Sequence, residues 1–157
     1  MRVGIGFDVH RFDESRPLIL GGVTVHGGPG LAGHSDADVL SHAVIDAVLG
    51  AAVLGDIGEH FPDDDPRWQN ASSIHLLENV LELIRPQGLA VESIDAVLLL
   101  EAPKIAQYRD LMRTMIGSAL GVDSARVSVK ATTMEGLGTV GRGEGAACMA
   151  VAILTEG

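Results

Sequence analysis

This chain of 157 residues is short of aromatic side chains, of cysteine and of positive charge. Aromatics make up 3% of it against 46% hydrophobic residues overall, so any core is built from Val, Leu, Ile and Ala. Cys148 is the one cysteine, which excludes an intrachain disulfide and a cysteine zinc cluster and suits a reducing compartment. Eleven Lys and Arg stand against 21 Asp and Glu, and a net charge of −10 lacks the basic face that a nucleic-acid scaffold needs. A small anionic ligand is still compatible, provided that metal ions, a few Lys or Arg, or backbone N–H groups meet it locally. No apolar run approaches the roughly 18 residues of a membrane span. Met1-Arg2-Val3-Gly4 leads into a strand pattern and not into a basic-then-apolar leader. The expectation is one soluble, cytoplasmic domain with no membrane or nucleic-acid partner.

What is present is a clear order of elements. Residues 2–9 read as a strand. Residues 17–20 and 23–25 flank Gly21-Gly22 as a hairpin, and Gly27 to Gly30 form a loop. Ser35 or Asp36 is the expected N-cap of a helix reaching Val53, with Val39, Ala43, Val44, Ala47, Val48 and Ala51 at helical spacing. An acidic loop, 55–65, precedes a second helix over 71–85. A strand over 91–100 leads to a third helix over 104–120, closed by Gly121. Strand 126–133, a glycine-rich loop and strand 146–154 complete the order. Hairpins mixed with crossover helices predict an α+β domain, a mixed β-sheet with helices packed on one face.

Polar residues cluster at a few points. Asp8 and His10 are two apart on a strand, so both side chains point the same way. Together they are half of a divalent-metal site, and a third ligand would make a zinc site with one open tetrahedral position. His42 is the best third ligand and His34 the other candidate; a histidine on a helix is also often only a surface or core residue. The dense segment Gly33-His34-Ser35-Asp36-Ala37-Asp38 just before His42 favours a site. Asp56-Ile57-Gly58 and Phe61-Pro62-Asp63-Asp64-Asp65 form either a set of acceptors for substrate hydroxyls or a solvated acidic loop. Pro103-Lys104 follows a strand and suits the first turn of a helix, where N–H groups and a lysine could meet an anion or a base edge. Gly136 to Gly145 contains a formal G-x-G-x-x-G, but a dinucleotide fingerprint opens a helix, and the residues that follow here read as a strand. Those glycines suit close approach to a ligand or a neighbouring subunit, with Arg142 as a phosphate contact.

These pieces, in this order and spacing, resemble the 2-C-methyl-D-erythritol 2,4-cyclodiphosphate synthases over nearly the whole chain. The resemblance rests on Gly6-Phe7-Asp8-Val9-His10, His34-Ser35-Asp36, His42, Gly55-Asp56-Ile57-Gly58 with Phe61-Pro62, Ala102-Pro103-Lys104, Lys130-Ala131-Thr132-Thr133 with Glu135, and Gly141-Arg142-Gly143-Glu144-Gly145. It implies a homotrimer with active sites between subunits. It implies zinc on Asp8, His10 and His42, and magnesium or manganese on Glu135. The implied cytidine pocket comprises Leu100, Glu101, Ala102, Pro103, Lys104, Ile105 and Ala106 with Thr132, Thr133, Met134 and Glu135. The implied methylerythritol pocket comprises Asp56, Ile57, Gly58 and residues Phe61 to Asp65. Val9, Ser35 and Arg142 are further implied substrate contacts, and His34 and Thr133 are implied to stabilise the transition state. The implied reaction is intramolecular phosphoryl transfer on a cytidine diphosphate substrate, with loss of CMP. A zinc-dependent phosphoesterase, with water in the open position, is the alternative. Two positions depart from the pattern. Thr139 stands where many relatives have an aromatic lining a cavity on the trimer axis that can hold an isoprenoid diphosphate, and Met134 stands where threonine is common.

Overall fold

Strand β1 (Arg2–Asp13), in a computed structural model that describes residues 1–157, has two unlike faces. Gly4, Gly6, Asp8 and His10 point one way, while Val3, Ile5, Phe7 and Val9 point the other, as a two-residue period requires. After β1 come a hairpin of β2 (Leu18–Leu20) and β3 (Val23–Val25), then the short strand β4 (Gly30–Leu31). Helix α1 (Val39–Ala52), a single helical turn α2 (Ile57–His60) and helix α3 (Ser73–Ile84) follow. Strand β5 (Leu89–Leu99), helix α4 (Arg109–Leu120), strand β6 (Val127–Thr132), the turn α5 (Gly138–Gly141) and strand β7 (Gly145–Glu156) complete the order.

The five-stranded sheet runs β4-β1-β7-β5-β6. Only β5 and β6 pair in parallel, with α4 as their crossover; every other pairing is antiparallel. This is the expected single α+β domain with a mixed sheet. Helix α1 lies on β1, β7 and β5, α3 packs beside it, and α4 packs on α3 and β6, all on one face. A bulge between Val91 and Ser93 reverses the alternation of β5, so Leu89 and Val91 before it and Ile94, Ala96 and Leu98 after it all face the core. The opposite face carries no helix. There Val3, Ile5, Phe7 and Val9 are 64%, 66%, 53% and 51% exposed, with Met149 and Val151 beside them on β7.

Glycine sets how closely α1 approaches the sheet. A Cβ at Gly4 would lie 2.0 Å from Ala47 O, and one at Gly6 would lie 1.9 Å from Ala43 O. The helix runs antiparallel to β1. Four helical residues advance about 6 Å and two strand residues about 6.8 Å, so the two elements stay in step. Ala47 meets Gly4, Ala43 meets Gly6, and His42 arrives beside Asp8.

Several boundaries differ from the sequence expectation. The cap of α1 is Asp38, not Ser35 or Asp36: its carboxylate accepts from Ser41 N (3.0 Å) and also from Gly21 N (2.8 Å) and Gly22 N (2.7 Å) of the hairpin turn. A tertiary contact decided this cap. The third helix begins at Arg109 rather than 104, so Pro103-Lys104 opens no helix. Leu100 N still bonds to Thr132 O (3.0 Å) and Ile105 is buried, which draws the intervening residues out along the rim. The acidic loop contains α2, and the glycine-rich loop contains α5.

Candidate metal centre

Asp8 and His10 leave β1 on the helix side, and His42 comes from the first turns of α1. Asp8 Oδ2 lies 2.7 Å from His10 Nε2 and 3.0 Å from His42 Nδ1, and the two nitrogens are 3.2 Å apart. Their outer atoms fix what these inner atoms carry. His10 Nδ1 lies 2.6 Å from Ala32 O, and a carbonyl only accepts, so Nδ1 holds the proton and Nε2 presents a lone pair. His42 Nε2 lies 3.0 Å from Ser35 Oγ and 2.9 Å from Ser73 Oγ, which leaves Nδ1 free to face the centre. Two imidazole nitrogens and one carboxylate oxygen thus converge on one point. That donor set, with outer partners on both rings, fits a tetrahedral divalent cation such as zinc with one position left over. Burial tends to raise the Asp8 carboxyl, but the hydrogen bonds and charges of His10 and His42 outweigh it and hold Asp8 at about 2. Burial likewise works against a charged His10, yet Asp8 raises its pKa above the usual histidine value. An anion and an imidazolium supporting one another is the protonated counterpart of a metal site.

The triad forms one wall of a cavity of about 380 Å³. Of the residues expected around it, His34, Ser35, Ile57, Gly58, Phe61, Pro62 and Asp63 line it. Gly33, from the dense segment before His42, lines it too, as do Trp68 and Leu76, which no sequence pattern singled out. Phe61 and Trp68 meet edge to face, with ring centroids 5.0 Å apart. Four expected contacts are outside the lining. Val9 points to the opposite face of β1, as strand alternation demands. Asp56 caps α2 through Glu59 N (3.1 Å), Asp65 pairs with Arg67 (2.6 Å), and Asp64 is exposed. His34 Nε2 donates to Asp65 O (3.1 Å), joining the entry of α1 to the acidic loop. The guanidinium of Arg16 donates to both Gly33 O and Ser35 O, gripping the backbone on either side of His34.

A second cavity, of about 240 Å³, is lined by Leu100, Glu101, Pro103, Lys104, Ile105, Ala106, Thr132 and Thr133, with Arg109 and Ala131 added by the fold. Met134 N donates to the Glu101 carboxylate, which ties the end of β6 to the end of β5. Ala102, Met134 and Glu135 do not line this cavity. Glu135 is exposed and left-handed (φ 53°), with its carboxylate 3.5 Å from the Thr133 hydroxyl. Arg142 pairs with Glu144 (3.3 Å) and lines neither cavity. Val9, Ala147, Leu99 and Thr132 stand in one row across four strands, so the triad and Thr132 are three strand spacings apart, about 14 Å. Thr132 shares the face of Val9, whereas Ala131, in the row of Asp8, Cys148 and Leu98, and Arg109 of α4 bring the second cavity round the β6 edge to the helix side, so the two cavities are separate.

No helix is long and apolar enough to cross a membrane. The sequence profile of the YgbB family matches residues 1–155. A protein of Desulfatibacillum aliphaticivorans named 2-C-methyl-D-erythritol 2,4-cyclodiphosphate synthase is 56% identical over 154 residues, which covers 98% of this chain and 99% of the relative. The bifunctional IspDF of Campylobacter jejuni superposes with a TM-score of 0.95 at 44% identity over 99% of this chain, which spans 42% of that longer protein. IspF of Plasmodium falciparum, solved as a CDP complex, superposes with a TM-score of 0.85 at 31% identity over 99% of this chain and 96% of its own. With sequence similarity running end to end and the fold shared along the same length, the chain belongs to the YgbB family.

Proposed function

We propose that this chain converts 4-diphosphocytidyl-2-C-methyl-D-erythritol 2-phosphate to 2-C-methyl-D-erythritol 2,4-cyclodiphosphate with release of CMP, in the cytoplasm, on the non-mevalonate route to isoprenoids. The observation that carries this reading is the convergence of Asp8, His10 and His42 in a cavity wall, in a chain whose relatives bear the synthase name. An oxygen of the 2-phosphate forms a bond to the β-phosphorus of the diphosphate. The bond from that phosphorus to the CMP oxygen breaks, and CMP leaves with the electron pair. The nucleophile is already ionised, so no general base is required.

The obstacle is repulsion between two phosphates in a protein of net charge −10. Zinc on the triad, with magnesium or manganese on Glu135, would neutralise the phosphates and orient them in line. The chain's own contribution is placement. The cavity beside Ile57, Gly58 and Phe61 suits the methylerythritol half, and the cavity beside Lys104 and Thr132 suits the cytidine half. Holding both ends converts the reaction into an oriented intramolecular step, which in favourable cases contributes roughly 7–11 kcal/mol. His34 and Thr133 border the two cavities and are assigned to transition-state stabilisation, and Arg142 to a phosphate contact.

We further infer a homotrimer in which the second cavity of one chain meets the triad of its neighbour. Two features support it. The triad and Thr132 of one chain stand three strand spacings apart, about 14 Å. The helix-free face exposes a contiguous apolar row along β1 and β7, of the kind that marks an interaction surface.

Incubating the protein with the cytidine substrate, zinc and magnesium tests the reading directly. CMP and the cyclic diphosphate are the expected products. Inorganic phosphate without cyclic product would overturn it in favour of a zinc-dependent phosphoesterase.

A further inference from the structure

We propose that Asp36 and Ser73 are positioning residues that set which nitrogen of His42 bears the proton, and so keep its Nδ1 available as a metal ligand. The inference rests on the metal-centre reading above and deepens it.

His42 Nε2 faces two hydroxyls, Ser73 Oγ at 2.9 Å and Ser35 Oγ at 3.0 Å. A hydroxyl either donates or accepts. If one donated to Nε2, the proton of the neutral ring would stand on Nδ1, between Asp8 Oδ2 and His10 Nε2, where it would exclude a cation. Asp36 removes that freedom. Its Oδ1 accepts the hydroxyl proton of Ser73 as well as Asp38 N (3.2 Å), and its Oδ2 accepts from Ser73 N (2.9 Å). A carboxylate only accepts, so the single proton of the Ser73 hydroxyl is committed to Asp36. At 2.9 Å the oxygen of that hydroxyl meets Nε2 favourably only by accepting from it, since two lone pairs would otherwise face each other, and Ser35 Oγ, which already accepts from Ala37 N (3.2 Å), then serves as a second acceptor. The polarity runs one way, from Nε2–H to Ser73 Oγ–H to Asp36, and it ends with the Nδ1 lone pair aimed at the centre.

The three residues come from three elements. Asp36 precedes α1 and is held to the next segment through Asp36 N to Ala71 O (3.1 Å). Ser73 is the first residue of α3 and is fully buried. Ser72, the cap of α3, makes no side-chain cap bond, and the Asp36 carboxylate supplies the acceptor instead. One carboxylate thus fastens α3 and orients a ring on α1. Sequence proximity does not suggest the relay, because Ser73 lies 31 residues from His42.

Outer partners of a ligating histidine are typically worth 10- to 100-fold in metal affinity. The test measures the zinc dissociation constant by chelator competition on the full chain, with the cobalt(II) absorption spectrum as a second readout of the ligand set. Ser73→Ala, Asp36→Asn and the double variant are compared with wild type and with His42→Ala. Asn at 36 must turn its amide group either toward Ser73 N or toward the Ser73 hydroxyl, and the second orientation reverses the relay. Each single variant is expected to weaken zinc about 10- to 100-fold. The double variant is expected to be no weaker than the poorer single one, because Asp36 acts through Ser73. Ser73→Ala only deletes a hydroxyl, so its arm stands alone if Asp36→Asn fails to fold. Zinc affinity unchanged in Ser73→Ala, or losses that multiply in the double variant, would overturn the relay. If wild type itself bound no zinc, or bound it equally well as His42→Ala, the metal-centre reading would fail instead.

Discussion

Replacing Gly6 with alanine should strike the fold and the metal centre together. The added Cβ would sit 1.9 Å from Ala43 O and 2.7 Å from Ala47 N, both backbone atoms of α1, so no rotamer change relieves the clash. Restoring an ordinary contact of 3.4 Å from 1.9 Å requires α1 and β1 to part by about 1.5 Å. His42 is the neighbour of Ala43, whereas metal–ligand distances tolerate only about 0.2 Å. Overpacking of this kind costs about 1–3 kcal/mol, and in a chain of this size each kcal/mol moves Tm by about 2–4 °C. The expected outcome is therefore a Tm lower by about 2–12 °C, with zinc affinity reduced more than the 10- to 100-fold typical of disturbing a ligand's outer partners. Gly50→Ala is the internal control. It lies on the same helix, the nearest contact of an added Cβ is Ile5 O at 3.9 Å, and Ala in a helix should gain roughly 0.5–1 kcal/mol over Gly. Thermal unfolding and zinc titration of both variants decide the matter. A Gly6→Ala protein with wild-type Tm and zinc affinity, or a Gly50→Ala protein that loses as much, would refute the close-approach argument.

The remaining predictions concern single groups. His42→Ala should remove zinc and nearly all turnover, and unchanged zinc content by metal analysis would sink the ligand assignment. Glu135→Gln should weaken the magnesium dependence of turnover in a metal titration while leaving zinc content intact. Ile5→Glu, on the helix-free face, should convert a trimer to monomers in sedimentation and abolish activity; a wild-type protein that sediments only as monomer at micromolar concentration would contradict the shared site. In chelator-treated protein, Asp8 is held at about 2 against an ordinary 3.8, so its contribution is present above pH 3.8 and is lost as pH falls through about 2. That shift corresponds to about 2 kcal/mol. Urea unfolding at pH 5 and pH 2 should show this loss in wild type and a smaller one in Asp8→Asn; equal pH dependence would count against the triad's hydrogen bonds.

Much of this molecule was legible because neighbouring residues encode period. Alternation in β1 puts Asp8 and His10 on one face whatever else the chain does, and helical spacing from Val39 to Ala51 sets α1 beside it with His42 on board. The Gly21-Gly22 hairpin and the Gly121 stop carry local turn chemistry that needs no partner. The mixed sheet with helices on one face followed from the order of these elements. What depended on long-range contact was less legible. Asp38 displaced Ser35 and Asp36 as the cap of α1 because it also satisfies the hairpin turn. The burial of Ile105 drew Pro103-Lys104 out of the third helix. Trp68, Leu76 and Ser73 border the site without any motif, since nothing in their own segments refers to a histidine or a cavity elsewhere in the chain.

The residue types able to hold a cation, and the face on which each stands, were already set along the chain, because side-chain direction repeats with the local backbone. It took the folded chain to bring α1 close enough for His42 to reach Asp8, to set Ser73 and Asp36 beside its ring, and to place the two cavities three strands apart. Those outcomes are set by distances between segments far apart in the chain, and those distances exist only once Gly4 and Gly6 have let helix and strand come together.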